Sequence, residues 1–78
     1  MSHTAHELAD EFPEHAAKIS NLKQSDAHFA KLSDAYHDVN RSIHRAETDV
    51  EPTDDAHMQE MRKERMSLKD QLWSMLRA

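Results

Sequence analysis

Histidine is the residue type in this chain that most strongly suggests chemistry, because seven of the 78 residues are histidines. Imidazole nitrogens and carboxylates are ligands that zinc and nickel accept. His3 and His6 are three residues apart. His37 and His44 are seven apart, so each pair would lie on one face of a helix. One hypothesis is therefore a His-dependent divalent-metal-binding protein with these four histidines as its metal ligands.

Known metal-binding motifs do not support that hypothesis. The pair His6-Glu7 is not followed by the second histidine that the HExxH zinc motif needs, and the sequence has no Glu-x-x-His pair of the di-iron type. A zinc site needs three or four converging ligands, and the chain has no cysteine to supply a thiolate. Metal binding is therefore kept as the alternative function, and we expect no cofactor.

Catalysis is not expected from this composition. The absence of cysteine removes a thiol nucleophile, and the absence of glycine removes the phosphate-binding loops that depend on it. Adjacent carboxylates such as Asp54-Asp55 are typical of helix ends and solvated faces. A chain of 78 residues offers little concave surface for a shaped pocket. We therefore expect that the protein is not an enzyme.

The charge distribution argues against nucleic acid and membrane as partners. The net charge is −5, and the acidic residues are spread over the whole chain. A nucleic-acid-associated regulator remains a minor alternative, because the last third contains basic residues, although acidic residues accompany them there. No apolar run approaches the roughly 20 residues of a membrane span, and the acidic N-terminus does not resemble a secretory signal. We therefore expect a cytoplasmic protein. The basic residues that support the minor nucleic-acid alternative are Arg62, Lys63, Arg65 and Lys69.

Helical periodicity dominates the first two thirds of the chain. Pro13 suits the first turn of a helix, which predicts one helix over about residues 13–24. Ser25 is a suitable N-cap for a second helix over residues 26–47. Apolar residues in that segment recur at alternating steps of three and four, which is the heptad pattern of a coiled coil. The sequence leaves open whether these two helices form one kinked rod.

Pro52 marks the clearest break in the chain, within residues 48–53, because the residue before a proline is pushed away from helical angles. Thr53 then predicts the N-cap of a third helix over residues 54–77. Its apolar stripe again follows three–four spacing, and Met66 and Trp73 widen that stripe. Arg65 falls on the stripe itself, where we expect it to extend along the core or to meet an acidic residue.

A short break between two long helices favours an antiparallel pair. The predicted fold class is therefore all-α: an antiparallel helical hairpin with an N-terminal helical arm, assembling into a dimeric or higher helical bundle. Residues 12–78 form the single hairpin domain in this prediction, and residues 1–11 form a frayed N-terminal segment. A chain this small is marginally stable alone, which favours self-association.

A series of short sequence motifs extends over most of the chain in a fixed order and spacing: Phe12-Pro13-Glu14, Ile19, Leu22-Lys23, His28-Phe29, Leu32, Ile43, Arg45, Met61, Lys63, Leu68-Lys69-Asp70 and Met75-Leu76. In this order and spacing the motifs resemble those of the YdcH-like family of small uncharacterised bacterial proteins. The resemblance covers about residues 12–77 and implies a helical hairpin, but it implies no activity. This chain differs from the family pattern in its N-terminal extension and its many histidines.

These observations together predict a small non-catalytic interaction module. We expect it to be a homo-oligomer, to dock on an unidentified protein partner, or both. Aromatic residues dominate the energetics of many interfaces, which favours Tyr36 and Trp73 as anchors. The predicted interaction residues are those of the two stripes: Phe29, Leu32, Tyr36, Val39, Ile43, Met58, Met61, Arg65, Leu68, Leu72, Trp73 and Leu76.

Overall fold

A computed structural model describes residues 6–48 and 54–78 of the chain, and every regular element within those two ranges is a helix. The all-α class predicted from the sequence is therefore confirmed. The elements are a one-turn helix α1 (Leu8–Glu11), a 3-10 turn (Pro13–His15), and the helices α2 (Ala16–Ser25), α3 (Ala27–Glu47) and α4 (Asp55–Leu76).

Helices α3 and α4 pack against each other as an antiparallel hairpin. Arg62 near the start of α4 contacts Glu47 at the end of α3, and Arg65 one turn later contacts Asn40, further back in α3. Contacts that move forward on one helix and backward on the other define an antiparallel pair. The three–four stripes of both helices meet along this seam, because stripes with that spacing stay on one helix face.

The residues before α3 form the predicted N-terminal arm, which we define as residues 6–25. The arm folds back over the hairpin near the start of α3 and the end of α4, where the Lys18 ammonium donates a 2.7 Å hydrogen bond to the Leu76 carbonyl. Leu8 and Ile19 are buried against the hairpin. Within this arm, Leu8–Glu11 forms a helical turn, and the burial of Leu8 stabilises it.

A single residue, Asp26, separates α2 from α3, so these are two helices and not one rod. Its backbone is extended, with φ −130° and ψ 107°. The prediction that Ser25 caps α3 is wrong. Ser25 is the last residue of α2, and its hydroxyl donates to the Asn21 carbonyl. The cap is Asp26, whose carboxylate accepts a 3.1 Å hydrogen bond from the Phe29 N–H, one of the N–H groups that the start of a helix leaves unpaired.

The start of α4 is capped in the same way. The Asp54 carboxylate accepts a 2.7 Å hydrogen bond from the His57 N–H, so Asp54 takes the capping role that the sequence predicted for Thr53, which lies outside the described residues. The predicted bounds of this helix, 54–77, differ from the observed ones by one residue at each end. No helix within residues 6–48 and 54–78 is long and apolar enough to cross a bilayer.

Candidate interaction surface

Most of the predicted interaction residues lie inside the molecule. Tyr36, predicted as an anchor for a partner, is only 1% exposed. The buried residues of the predicted set therefore hold α3, α4 and the arm together, and they are not available to a partner in this conformation. Leu32, Met58 and Arg65 are partly buried, and Trp73 is 37% exposed. The buried ones are Phe29, Tyr36, Val39, Ile43, Met61, Leu68, Leu72 and Leu76.

Tyr36 and His37 of α3 hold the first residues of the arm. The Tyr36 hydroxyl donates a 2.6 Å hydrogen bond to the His6 carbonyl. His6 has a φ of +64°, in the left-handed region that costs a residue with a β-carbon energy, so this contact fixes an unfavourable turn. The neighbouring His37 Nδ1 lies 2.7 Å from the Glu7 carboxylate. Burial, followed by the charge of Glu11, raises the pKa of the Tyr36 phenol to about 12.

Glu11 at the end of α1 joins the arm to α4. Its carboxylate accepts a 3.1 Å hydrogen bond from the Lys69 ammonium and lies 3.3 Å from His6 Nδ1. Burial alone would raise the pKa of this carboxyl. The hydrogen bonds and charges of Lys69 and His6 outweigh that cost and leave the pKa below its ordinary value. The arm is therefore held by both helices of the hairpin.

An aromatic stack lies beside this ion pair. The rings of Phe12 and Trp73 are nearly parallel, with centroids 5.2 Å apart. His15 meets the same indole edge-on at 5.4 Å, and the Lys69 ammonium lies 5.8 Å from the Phe12 ring centre. Offset aromatic pairs contribute about 0.5–1.5 kcal/mol beyond their buried area. Trp73, predicted as an interaction anchor, thus anchors the chain's own arm.

Arg65 also has a partner within the chain. Its guanidinium donates a 2.9 Å hydrogen bond to the side-chain oxygen of Asn40, which is 1% exposed. The acceptor in this contact is therefore an amide, where an acidic residue was one of the expected partners of Arg65. An amide serves here because burying a carboxylate beside the seam would cost more than burying a neutral acceptor.

The three candidate metal ligands among the described residues, His6, His37 and His44, do not converge. His6 and His37 each contact a different carboxylate, Glu11 and Glu7 respectively. His44 is partly buried on α3, and His3 lies outside the described residues. Within residues 6–48 and 54–78, no three His, Cys, Asp or Glu side chains are grouped so that they could hold a metal ion.

The outward side of α4 carries an apolar surface that the arm does not cover. Met66 is 60% exposed, the largest exposure among the big hydrophobic side chains of the described residues. It shares a shallow depression with Gln59, Arg62 and Lys63. Met66 was expected to widen the buried stripe, but it lies on the opposite side of the helix from the stripe residue Leu68, two positions away, because two residues rotate a helix by about 200°. We call these four residues the Met66 face.

A second open surface runs between α3 and α4. This groove has a volume of about 420 Å³. Its lining combines small or apolar side chains with two exposed carboxylates, those of Asp38 and Glu64. Its α4 residues are offset by two positions from those of the Met66 face, so the two surfaces lie on different sides of α4. We call it the acidic groove; it is lined by Ala35, Asp38, Val39, Ser42, His57, Met61 and Glu64.

Comparison with known proteins places the hairpin in a family. The model of a family described as a protein of unknown function (DUF465) matches residues 29–76, more than half of the chain. The chain belongs to this family. The match begins in the first turn of α3 and ends at the last residue of α4, so it covers the hairpin and leaves the arm outside. No curated protein and no solved structure matches the chain.

Sequence reasoning missed two features of this DUF465 hairpin. Met66 was not among the predicted interaction residues, although its position between the stripe residues Arg65 and Leu68 takes it off the three–four spacing. The basic pair Arg62-Lys63 beside it was a further signal of an exposed apolar face. The polar contacts of the arm had no sequence signal, because they join residues at least 30 positions apart.

Proposed function

We propose that this protein is a non-catalytic helical-hairpin interaction module that self-associates through α4. The exposure of Met66 carries this proposal, because Met66 is the most exposed large hydrophobic side chain of the described residues and lies in a depression beside Arg62 and Lys63. Methionine is flexible and polarisable, so it adapts to irregular partner surfaces. Fully burying such a side chain contributes about 1.5–3 kcal/mol, a useful share of a weak association.

The occupant of the Met66 face that fits best is the acidic groove of a second copy. Arg62 and Lys63 flank Met66 on one surface, and Asp38 and Glu64 flank small and apolar side chains on the other. Opposite charges around an apolar centre favour one register and disfavour like-charged partners. This charge complementarity supports a second copy over a basic partner, which the Met66 face would repel.

Both surfaces include residues of α4, on different sides of it. A contact between the Met66 face of one copy and the acidic groove of another therefore joins two unlike surfaces, so it is heterologous and repeats from copy to copy until a ring closes. Two hairpins joined in this way form a four-helix assembly, which offsets the thin core of a 78-residue chain.

Sedimentation of the purified protein across the micromolar range tests the proposal. The substitution Met66→Glu places a carboxylate against the partner's Asp38 and Glu64, so we expect the dissociation constant to rise at least about tenfold, or about 1.4 kcal/mol. The matched control is Ser20→Glu, which adds the same charge on the exposed side of α2. It should leave the association unchanged.

Two outcomes count against the proposal. A chain that sediments as a monomer at every concentration removes self-association. A Met66→Glu variant that associates as well as the parent chain removes this face as the interface. Circular dichroism of both variants, compared with the parent, establishes that any loss of association is not a loss of helix.

The same face would also serve a different protein with an acidic, amphipathic helix, which extends the proposal to docking on a partner. We further propose that the resemblance to YdcH-like proteins reflects this hairpin. The sequence motifs that carry this resemblance within residues 29–76 lie in the part of the chain that the family model matches. Those in the arm include Phe12, which stacks on Trp73.

A further inference from the structure

The arm and the hairpin make several polar and aromatic contacts, and in the sequence a single residue, Asp26, connects them. Glu11 meets Lys69 across 58 residues of sequence, and Tyr36 meets the His6 carbonyl across 30. Between arm and hairpin, only Asp26 has an extended backbone. All of these contacts depend on the angle of that one residue, so Asp26 acts as a hinge.

The local sequence around the hinge favours a continuous helix. Residues 16–47 contain neither glycine nor proline. A break leaves the last carbonyls of α2 and the first N–H groups of α3 without partners inside their helices. If Asp26 became helical, those groups would pair with one another, and the hydrogen bond from the Phe29 N–H to the Asp26 carboxylate would be lost. The closed form is thus held by the arm's contacts with the hairpin.

We propose that the arm exchanges between two copies of this chain, so that each arm lies on the hairpin of the other. The exchanged pair keeps every arm contact, including the Phe12–Trp73 stack and the Glu11–Lys69 ion pair, because the partner's hairpin presents the same residues. It also joins α2 and α3 into one helix over residues 16–47, about 48 Å long. The closed chain is 36 Å in its longest dimension.

The occupant of the arm's binding surface is a second copy's arm because the surface fits that sequence in detail. It pairs a lysine with Glu11, a tryptophan with Phe12 and a histidine with Glu7. The DUF465 match covers the hairpin without the arm, so the surface and its occupant are separate parts of the chain. Exchange of an identical element is a low-cost route to a dimer, and a short hinge favours it. This inference goes beyond the proposed function and uses a surface apart from the Met66 face.

Cross-linking between two different chains tests the exchange. The sequence has no cysteine, so single cysteines can be introduced without interference. One chain carries Lys18→Cys in the arm, and the other carries Ala78→Cys. The Lys18 ammonium lies 3.0 Å from the Ala78 carbonyl in the closed chain, which places the two positions within reach of a short bis-maleimide. The two chains, one with a mass tag, are mixed, warmed briefly and cross-linked.

We expect a cross-link between the two chains, identified by mass, in at least tenfold excess over a collision control. The control pairs Ser20→Cys chains with Ser67→Cys chains, both exposed positions. A single chain with Lys18→Cys and Ala78→Cys establishes that the cross-linker spans the closed contact. If that chain cross-links internally while the mixed chains stay at the control level, the exchange does not occur.

Two variants of the hinge give a second, opposed readout. Asp26→Ala removes the cap and favours a helix through the hinge, so the exchanged fraction should rise severalfold. Asp26→Gly also removes the carboxylate but disfavours a continuous helix, so the fraction should fall. Equal fractions in the two variants contradict the proposal. Because the exchange uses a surface apart from the Met66 face, the cross-link should persist in Met66→Glu even if sedimentation shows that association through α4 is lost. A parent chain that associates without forming the cross-link contradicts the exchange and leaves the proposed function standing.

Discussion

The Tyr36 hydroxyl donates a 2.6 Å hydrogen bond to the carbonyl of His6 and so ties the start of the arm to the middle of α3. Tyr36 is also part of the apolar seam that the sequence predicted. One side chain therefore packs the hairpin with its ring and positions the arm with its hydroxyl. Further contacts of the arm, with Lys69 and Trp73, extend this attachment to α4.

Removing that hydroxyl should weaken the arm without disturbing the seam. We expect Tyr36→Phe to lower the free energy of unfolding by about 0.5–1.5 kcal/mol, the usual net value of one hydrogen bond. Urea denaturation followed by circular dichroism measures the change. The control is Ser25→Ala, which removes a hydroxyl that bonds only within α2. A loss in Tyr36→Phe no larger than in this control would show that the contact with His6 contributes little.

The titration of Tyr36 should be displaced to high pH. It is the only tyrosine in the chain, so ultraviolet absorbance reports its phenol directly. We expect a pKa of about 12, because burial disfavours the phenolate. Since the folded pKa lies above the unfolded value of 10, this group's contribution to stability is complete below pH 10 and is lost as the pH rises towards 12. Titration at the ordinary value would mean that the phenol is exposed.

Acid should release the contact between the arm and α4. The pKa of Glu11 is lowered in the folded chain, so its contribution is present above the unfolded value and is lost as the pH falls through the lower, folded value. We expect the stability difference between the parent chain and Glu11→Gln to shrink as the pH falls below about 4.5. Denaturation at a series of pH values measures it. Lys69→Gln should remove most of the same pH-dependent part, because the hydrogen bond and charge of Lys69 lower the pKa of Glu11 more than those of His6 do. An undiminished difference at low pH would contradict the assignment.

The stack of Phe12 on Trp73 can be followed by fluorescence, because Trp73 is the only tryptophan. Phe12→Ala should shift the indole emission to longer wavelength as water reaches the ring. It should also cost at least about 0.5–1.5 kcal/mol of stability, the share of an aromatic pair beyond its buried area. Glu14→Ala, an exposed change two residues away, should leave the emission unchanged. An unshifted spectrum in Phe12→Ala would mean that the stack does not shield Trp73.

Exchanging charges between the Met66 face and the acidic groove should first weaken and then restore self-association. Lys63→Glu replaces attraction by repulsion across the proposed contact. Exposed pairs are worth about 0.2–1 kcal/mol, so we expect the dissociation constant to rise by up to about fivefold. Adding Asp38→Lys in the same chain re-forms the pair with reversed signs and should recover most of the loss. Sedimentation measures both variants, and additive losses would place Lys63 and Asp38 apart.

The sequence predicted the elements that depend on local pattern. The steps of three and four from Phe29 to Ile43 placed the seam of α3 correctly, because helical periodicity follows from spacing alone. The bounds of α4 were correct within one residue. The prediction that Ser25 caps α3 was wrong, because Asp26 is the cap. Both residues can cap a helix, and only the position of the break decides between them.

Tertiary structure decided which side chains face a neighbour and which remain exposed. The sequence determined an all-α hairpin with two apolar seams, since amphipathic spacing requires each seam to be buried. It did not determine that Trp73 receives Phe12, that Arg65 meets Asn40, or that Met66 stays uncovered. These features depend on residues from distant parts of the chain. Arg65 meets Asn40 because α3 and α4 pack against each other. Phe12 meets Trp73 because the arm turns back at Asp26 and lies across one end of the hairpin.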